Sequence, residues 1–202
     1  MKTKIGIMGG TFDPIHLGHL ILAEETRVHF NLDKVVFIPS GRPPHKNWDD
    51  ITEPYDRYEM TLLATNDNPY FFVSTMEIER EGLTYTVDTI KRLKKENKDA
   101  EYYFITGADS LVDIYKWKNH EELLKLCKFV TVKRIGIPNS ELENLIDKIN
   151  KEHRDTAYLL TIPYIDISST GIRNRVKRGK SIKYYVPEEV ERYIKKKKLY
   201  IE

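Results

Sequence analysis

Residues 5–20 read IGIMGGTFDPIHLGHL, and this stretch leaves few folds open to the chain. Ile5, Gly6, Ile7 and Met8 form a short apolar run, the pattern of a strand buried on both faces. Gly9 and Gly10 follow, where a backbone turns sharply or lets a ligand come close. A helix is predicted to start near His16 and run to about Phe30, with Leu17, Leu20, Ile21 and Val28 on one face. A glycine turn feeding a helix N-terminus is an anion site, because first-turn N–H groups lack intrahelical acceptors and the dipole end is positive. His16 and His19 are three residues apart, so the first helical turn carries both on one face. Gly18 between them has no side chain to obstruct a ligand, and Thr11 adds a hydroxyl. Two imidazoles, a hydroxyl and free amides in one small volume suit the phosphates of a nucleotide.

Three other readings compete. Zinc needs further ligands at recognisable spacing, and the only cysteine, Cys127, stands alone in an apolar run. The dinucleotide loop of an oxidoreductase needs G-x-G-x-x-G, which this spacing lacks; the second strand also ends in Ile38-Pro39-Ser40, with no acid to hold a ribose. A lone histidine is usually structural, but a pair on a glycine turn favours phosphate work.

Along the rest of the chain, strand and helix patterns alternate. Val35 to Pro39 reads as the second strand, and its loop, residues 40–46, is stiffened by Pro43 and Pro44 so that Lys46 can be presented as a point charge. Thr52 is expected to cap a helix with Pro54 in its first turn, ending near Asn66; Phe71 to Thr75 reads as the third strand. Thr86 is a plausible cap for a helix over 87–96 that lays Val87, Ile90, Leu93 and the Lys94 stem on the sheet. Glu101 to Thr106 reads as the fourth strand and runs into Gly107-Ala108-Asp109-Ser110. Ligands of open α/β sheets bind at the carboxyl ends of strands, so Asp109 either caps the next helix or accepts from ribose hydroxyls, with the ribose role favoured. Trp117, between Lys116 and Lys118, suits a ring that stacks on a ligand. A short helix over 120–127 precedes a fifth strand, Phe129 to Lys133, with Arg134 at its end, placed to face phosphate. Ser140 and Glu143 form a capping-box pattern for a helix to about His153; Tyr158 to Ile162 reads as the sixth strand. A helix over 171–178, closed by Gly179, follows Ser168, Ser169 and Thr170, and Pro187 opens the last helix. Ser169 and Thr170 would offer hydroxyls and amides to the outer phosphates of a triphosphate, and Arg173 a bidentate fork. The alternation predicts an α/β class: one domain, residues 1–202, with a doubly wound parallel sheet ordered 3-2-1-4-5-6.

The stretch GGTFDPIHLGHL is similar to the T/HxGH motif of the nucleotidyltransferase superfamily, and ISSTGIR (167–173) to its second phosphate motif; the two stand in the right order about 150 residues apart. With PPHK (43–46), TYT (84–86), GADS (107–110) and KW (116–117), the chain resembles the bacterial nicotinate mononucleotide adenylyltransferases over essentially its whole length. That resemblance implies a Rossmann-like fold. It implies that Gly9, Gly10, Thr11, His16 and His19 meet nucleotide phosphates, and that Gly107 and Asp109 hold the adenosine ribose. It places Thr86, with Tyr85, Lys116 and Trp117, in a nicotinate pocket, and residues 168–173, Ile172 included, at the triphosphate. The implied reaction is ATP plus nicotinate mononucleotide giving deamido-NAD and pyrophosphate. Phosphopantetheine adenylyltransferase shares two of the motifs but is typically a shorter chain, and the PPHK, TYT and KW segments tell against it. A non-catalytic nucleotide sensor on the same fold would not need both histidines and both phosphate motifs intact.

The chain offers no obvious covalent nucleophile, so a direct displacement at the α-phosphorus of ATP is expected, with His16, His19, Lys46, Arg173 and Mg²⁺ supplying positive charge. The Mg²⁺ would be held mainly by phosphates and water, with no protein ligand. Thirty-three Lys and Arg against 31 Asp and Glu leave a charge of +2, which calls for no nucleic-acid or membrane partner. One cysteine, no long apolar segment and no signal-peptide pattern fit a reducing cytoplasm. A homo-oligomer is compatible with the sequence, which does not fix the oligomeric state.

Overall fold

A computed structural model describes residues 2–44, 46–132, 139–162 and 166–201. Six strands, β1 (Lys4–Gly10), β2 (Lys34–Pro39), β3 (Phe71–Val73), β4 (Glu101–Ile105), β5 (Lys128–Val132) and β6 (Ala157–Leu160), alternate with eight α-helices among the described residues. The helices are α1 (Leu17–Phe30), α2 (Pro54–Thr65), α3 (Thr86–Glu96), α4 (Ala108–Val112), α5 (His120–Leu126), α6 (Asn139–His153), α7 (Ser169–Lys177) and α8 (Glu188–Lys197). The strand order is β3-β2-β1-β4-β5-β6, as the alternation predicted. The β1–β4, β4–β5 and β5–β6 pairs are parallel, with Ile7 opposite Phe104, Phe104 opposite Phe129 and Val130 opposite Tyr158.

The chain divides into two compact units. The first holds residues 1–9, 22–35 and 85–164. Its core is built from Ile7, Val35, Ile90, Ile105, Leu111, Leu123 and Phe129, all fully buried. Val87 and Ile90 of α3 are buried as the helical spacing implied, and the Lys94 ammonium donates to the Ala100 carbonyl. Leu142, Ile146 and Ile149 form the buried stripe of α6.

The second unit holds residues 10–21, 36–84 and 165–202. Ile15, Phe37, Ile38, Met60 and Val190 are fully buried there. The buried positions of α2 are Arg57, Met60, Thr61, Ala64 and Thr65, an i, i+3, i+4, i+7, i+8 stripe with an arginine in its first slot. Arg57 is fully buried, and its cost is met by three carbonyls. Its Nε–H donates to Thr52 O at 2.8 Å, Nη1 to Thr11 O at 2.7 Å and Nη2 to Gly41 O at 3.3 Å. One planar fork thereby gathers the turn after β1, the loop after β2 and the entry to α2.

Several expectations need correction. The buried face of α1 is Leu22, Ala23 and Thr26, while Val28 is 56% exposed. Leu17, Leu20 and Ile21 are half-buried, so the apolar spacing had followed a different face. Glu24 is held bidentately by Arg27 one turn on, at 2.9 and 2.7 Å, which accounts for its place among apolar neighbours. Thr52 is not the cap of α2; Glu53 holds that position, with no side-chain capping bond. Thr86 is the first residue of α3 and Tyr85 its N-cap, and Ser140 lies inside α6, which starts one residue earlier. The third strand is only three residues long, and Pro187 is the N-cap of α8 rather than its first residue. α7 begins at Ser169, and Gly179, at φ 62°, closes it through bonds from Gly179 N to Val176 O and Lys180 N to Arg175 O.

The Arg57 fork yields a direct expectation. Arg57→Met fills similar volume but strands three buried carbonyls, which should cost roughly 3–5 kcal/mol. For a chain of this size that lowers Tm by on the order of 10 °C. Thermal unfolding checks it, and a Tm within a degree or two of wild type would show that the loops find other donors.

Candidate active site

In the second unit the turn after β1 packs around aromatic rings. A Cβ on Gly10 would meet the Phe12 ring at 3.0 Å, so that position takes no side chain without displacing Phe12. Phe12 has a left-handed φ of 50° and is buried. Its ring stands edge-on to His19 at 5.1 Å and tilts against Phe37 at 6.0 Å.

His16 and His19 stack with centroids 3.7 Å apart and planes 23° from parallel. The His16 backbone N–H donates to His19 Nδ1 at 3.2 Å. With Nδ1 an acceptor, neutral His19 carries its proton on Nε2. The amide of Leu17 donates to Tyr185 O, and those of His19 and Leu20 to His16 O. The start of α1 is therefore largely satisfied by the protein itself, contrary to the free amides expected there; His16 is buried and His19 half-buried beside it.

The second phosphate motif also uses its hydroxyls internally. Ser168 is the N-cap of α7, its Oγ accepting from Gly171 N at 3.1 Å. The Ser169 hydroxyl donates to Pro14 O at 2.9 Å and so ties α7 to the turn after β1. The Ile172 side chain is core and its amide donates to Ser168 O. The amides of Ser169 and Thr170 precede any intrahelical acceptor. Arg173 donates from Nη1 to Asp13 O at 2.7 Å and from Nη2 to the Thr170 hydroxyl at 3.3 Å.

Asp13 is the centre of this cluster, although the sequence argument left it without a role. It is 3% exposed, and its Oδ1 accepts from the Tyr200 hydroxyl at 2.7 Å. Its Oδ2 accepts from Thr52 N at 3.4 Å and lies 4.0 Å from Arg173 Nη1. Lys46 is an exposed residue whose ammonium nonetheless belongs to this cluster. Partial desolvation pulls its pKa below the ordinary lysine value; Arg173 and then Arg57 push the same way, and Asp13 opposes them. Burial also lowers Arg57, with Asp13 the largest opposing influence. Three cations around one buried carboxylate leave a positive field for an anion.

The remaining predicted residues lie in the first unit; among them is Gly9, where an added Cβ would meet the Phe104 ring at 3.3 Å. Gly107 is the N-cap of α4, with open space where a Cβ would be, and Asp109 is exposed in that helix's first turn. The half-buried Trp117 ring stands edge-on to Phe104 at 5.9 Å and to Phe129 at 6.4 Å. Lys116 pairs with Asp113 at 2.6 Å and is 80% exposed. The lysine set beside the TYT segment is instead Lys118, 4.1 Å over the Tyr85 ring and 3.4 Å from Asp88. Arg134 lies outside the described residues. Sequence reasoning missed Asp13, Arg57, Tyr200 and Lys118. Only Arg57 left a usable signal, a charge in a buried helical slot.

Comparison with known proteins gives the class first. Residues 7–175 match the cytidylyltransferase-like family model. A relative from Thermoanaerobacter sp. (strain X514), called "Probable nicotinate-nucleotide adenylyltransferase", is 52% identical over 98% of this chain and 95% of its own. One of the same name from Clostridium novyi (strain NT) is 45% identical over 99% of this chain and 100% of its own. The solved structure of Plasmodium falciparum nicotinic acid mononucleotide adenylyltransferase complexed with NaAD has the same fold, with a TM-score of 0.81 at 24% identity, covering 98% of this chain and 97% of that one. The chain belongs to the nicotinate-nucleotide adenylyltransferases of the cytidylyltransferase-like family.

The electrostatics of Lys46 can be read directly. Its NMR titration midpoint, assigned through Lys46→Arg, should fall below the roughly 10.4 of an ordinary lysine. The unfolded chain holds that proton more tightly than the folded one, so the stability contributed here rises with pH between the two midpoints. A midpoint at or above the other lysines would place the ammonium in open solvent.

Proposed function

We propose that this chain transfers the adenylyl group of ATP to nicotinate mononucleotide, releasing pyrophosphate and deamido-NAD. The observation that carries the transfer chemistry is the convergence of stacked His16 and His19, Lys46 and Arg173 on the turn after β1. The acceptor is read from the relatives' names and from this chain's own TYT (84–86) and KW (116–117) segments.

The step is an in-line displacement. A phosphate oxygen of the mononucleotide forms a bond to the α-phosphorus of ATP as the bond to the bridging oxygen of the β-phosphate breaks, and pyrophosphate departs. The chain's contribution is position and charge. His19 offers Nε2–H, and with His16 it meets charge building on the reacting phosphate. Arg173, braced on Asp13 O and Thr170, turns its remaining N–H groups to the outer phosphates together with the amides of Ser169 and Thr170. Lys46 adds a point charge. Gly10, the last residue of β1, and Thr11 lead into the same turn. The thiol of Cys127 takes no part: it is buried at the end of α5 and burial pushes its pKa up.

Among the described residues no group of three or more His, Cys, Asp or Glu side chains could hold a metal. The donors around the turn are cations and imidazoles, and Asp13 is already engaged, which fits a Mg²⁺ carried by the phosphates of ATP. Bound there, it would neutralise charge on the leaving pyrophosphate.

For the other partner groups, Gly107 and Asp109 would take the adenosine ribose, and Trp117 the pyridine ring, with Tyr85, Lys116 and the neighbouring Lys118 beside it. The first-turn amides of α3, at Thr86 and Val87, precede any intrahelical acceptor and suit a carboxylate.

Pyrophosphate release tests the assignment. His19→Ala should lower kcat much more than it raises KM, by about a hundredfold or more, the usual result of losing one donor of roughly 3 kcal/mol in the transition state. A near wild-type kcat would remove His19 from the mechanism. The acid should also be preferred to nicotinamide mononucleotide, because a carboxamide sets a donor against the donors at Thr86. An unmatched contact plus a lost charge-assisted bond totals roughly 2–4 kcal/mol. That is on the order of 30- to 1000-fold in kcat/KM. Equal kcat/KM for the two mononucleotides would withdraw the deamido product.

A further inference from the structure

We propose that Tyr200 is a positioning residue for nucleotide binding: its hydroxyl occupies the Asp13 carboxylate and so keeps Arg173 open to an anion. The inference rests on the reading of Arg173 as a phosphate ligand given above.

The geometry around Asp13 is unusual in one respect. A guanidinium beside a buried carboxylate ordinarily closes on it with charge-assisted bonds of about 2.7–2.9 Å. Here Arg173 Nη1 makes its short bond to the Asp13 carbonyl, at 2.7 Å, and stands 4.0 Å from Oδ2. The carboxylate is oriented by other donors. Tyr200 holds Oδ1 at 2.7 Å and Thr52 N–H reaches Oδ2 at 3.4 Å. At 3% exposure Asp13 has little water to replace a lost donor.

Tyr200 is delivered to this point by the way α8 ends. Lys198 has a left-handed φ of 54°, and Leu199 N donates back to Ile194 O. Tyr200 itself has φ 64°, so the chain turns away from the helix axis there. α8 is in turn fixed to α2 by the Tyr193 hydroxyl on Asp56 Oδ1 at 2.6 Å. Burial, then the Asp13 charge, pushes the Tyr200 hydroxyl up, so it remains a protonated donor.

Without that hydroxyl, Oδ1 must find another donor. The cations facing Asp13 are Arg173, Lys46 and Arg57. Arg57 is committed to three carbonyls. Arg173, 4.0 Å from Oδ2, would then close on the carboxylate and be drawn from phosphate.

The test is ATP binding by calorimetry on the full chain, without acceptor, for Tyr200→Phe, Arg173→Ala and the double variant, with Tm recorded for each. Tyr200→Phe keeps the ring and should weaken ATP on the order of tenfold, about 1.4 kcal/mol. It should leave kcat at saturating ATP within about twofold, because ground-state binding is what changes. In the Arg173→Ala background the same change should add nothing, whereas a merely structural hydroxyl would add its full factor. Asp13→Asn supplies a second arm: with no charge to hold back, adding Tyr200→Phe should leave the ATP Kd unmoved. An ATP Kd untouched by Tyr200→Phe, or the same factor in all backgrounds, overturns this inference alone. A wild-type chain that fails to bind ATP overturns the adenylyl-transfer reading and this inference with it.

Discussion

The second unit depends on a fully buried arginine. Arg57 stands at the head of an otherwise uncharged stripe on α2 and donates to the carbonyls of Thr11, Gly41 and Thr52. A buried guanidinium is tolerated only when its donors are met, and these three carbonyls belong to loops that lack a ladder of their own. The arginine therefore supplies what a strand partner would have supplied. It also contributes charge beside Asp13, so the group that shapes the loops helps set the potential of the site.

Around that frame the two phosphate motifs divide their work. Hydroxyls and first-turn amides, the groups most readily expected to touch a ligand, are largely spent on architecture: Ser168 caps α7, Ser169 binds Pro14 O, and Leu17, His19 and Leu20 donate within the chain. Longer, charged or aromatic side chains are left to gather around the turn after β1. The division has a physical basis. Short polar side chains reach only nearby backbone and cap helices well, whereas lysine and arginine carry their charge several bonds from a rigid base. His19 is intermediate: its Nδ1 serves the backbone, and that bond fixes the tautomer that presents Nε2–H.

The fold was legible because strand and helix periodicities are local. The apolar run of β1, the order of the strands and the buried Val87 and Ile90 of α3 all follow from residue spacing. Errors gathered where spacing was ambiguous. α1 carries apolar residues on more than one side, and burial chose Leu22, Ala23 and Thr26 over the face containing Val28. Caps were misplaced by one residue at Thr52 and Thr86, and Ser140 lies inside its helix, since a helix start depends on how the preceding loop arrives.

The sequence alone determined the elements of this protein, their order in a parallel sheet, the histidine pair on the glycine turn and the family to which the motifs point. Those features rest on contacts between residues a few positions apart, or on motifs that carry their own spacing. Only the tertiary structure decided which groups meet Asp13. Thr52, Arg173 and Tyr200 reach it from positions 39, 160 and 187 residues away, and Lys118 rather than Lys116 covers Tyr85. No periodicity records such meetings, because a buried charge takes its partners from whichever elements the packed core brings within hydrogen-bond reach.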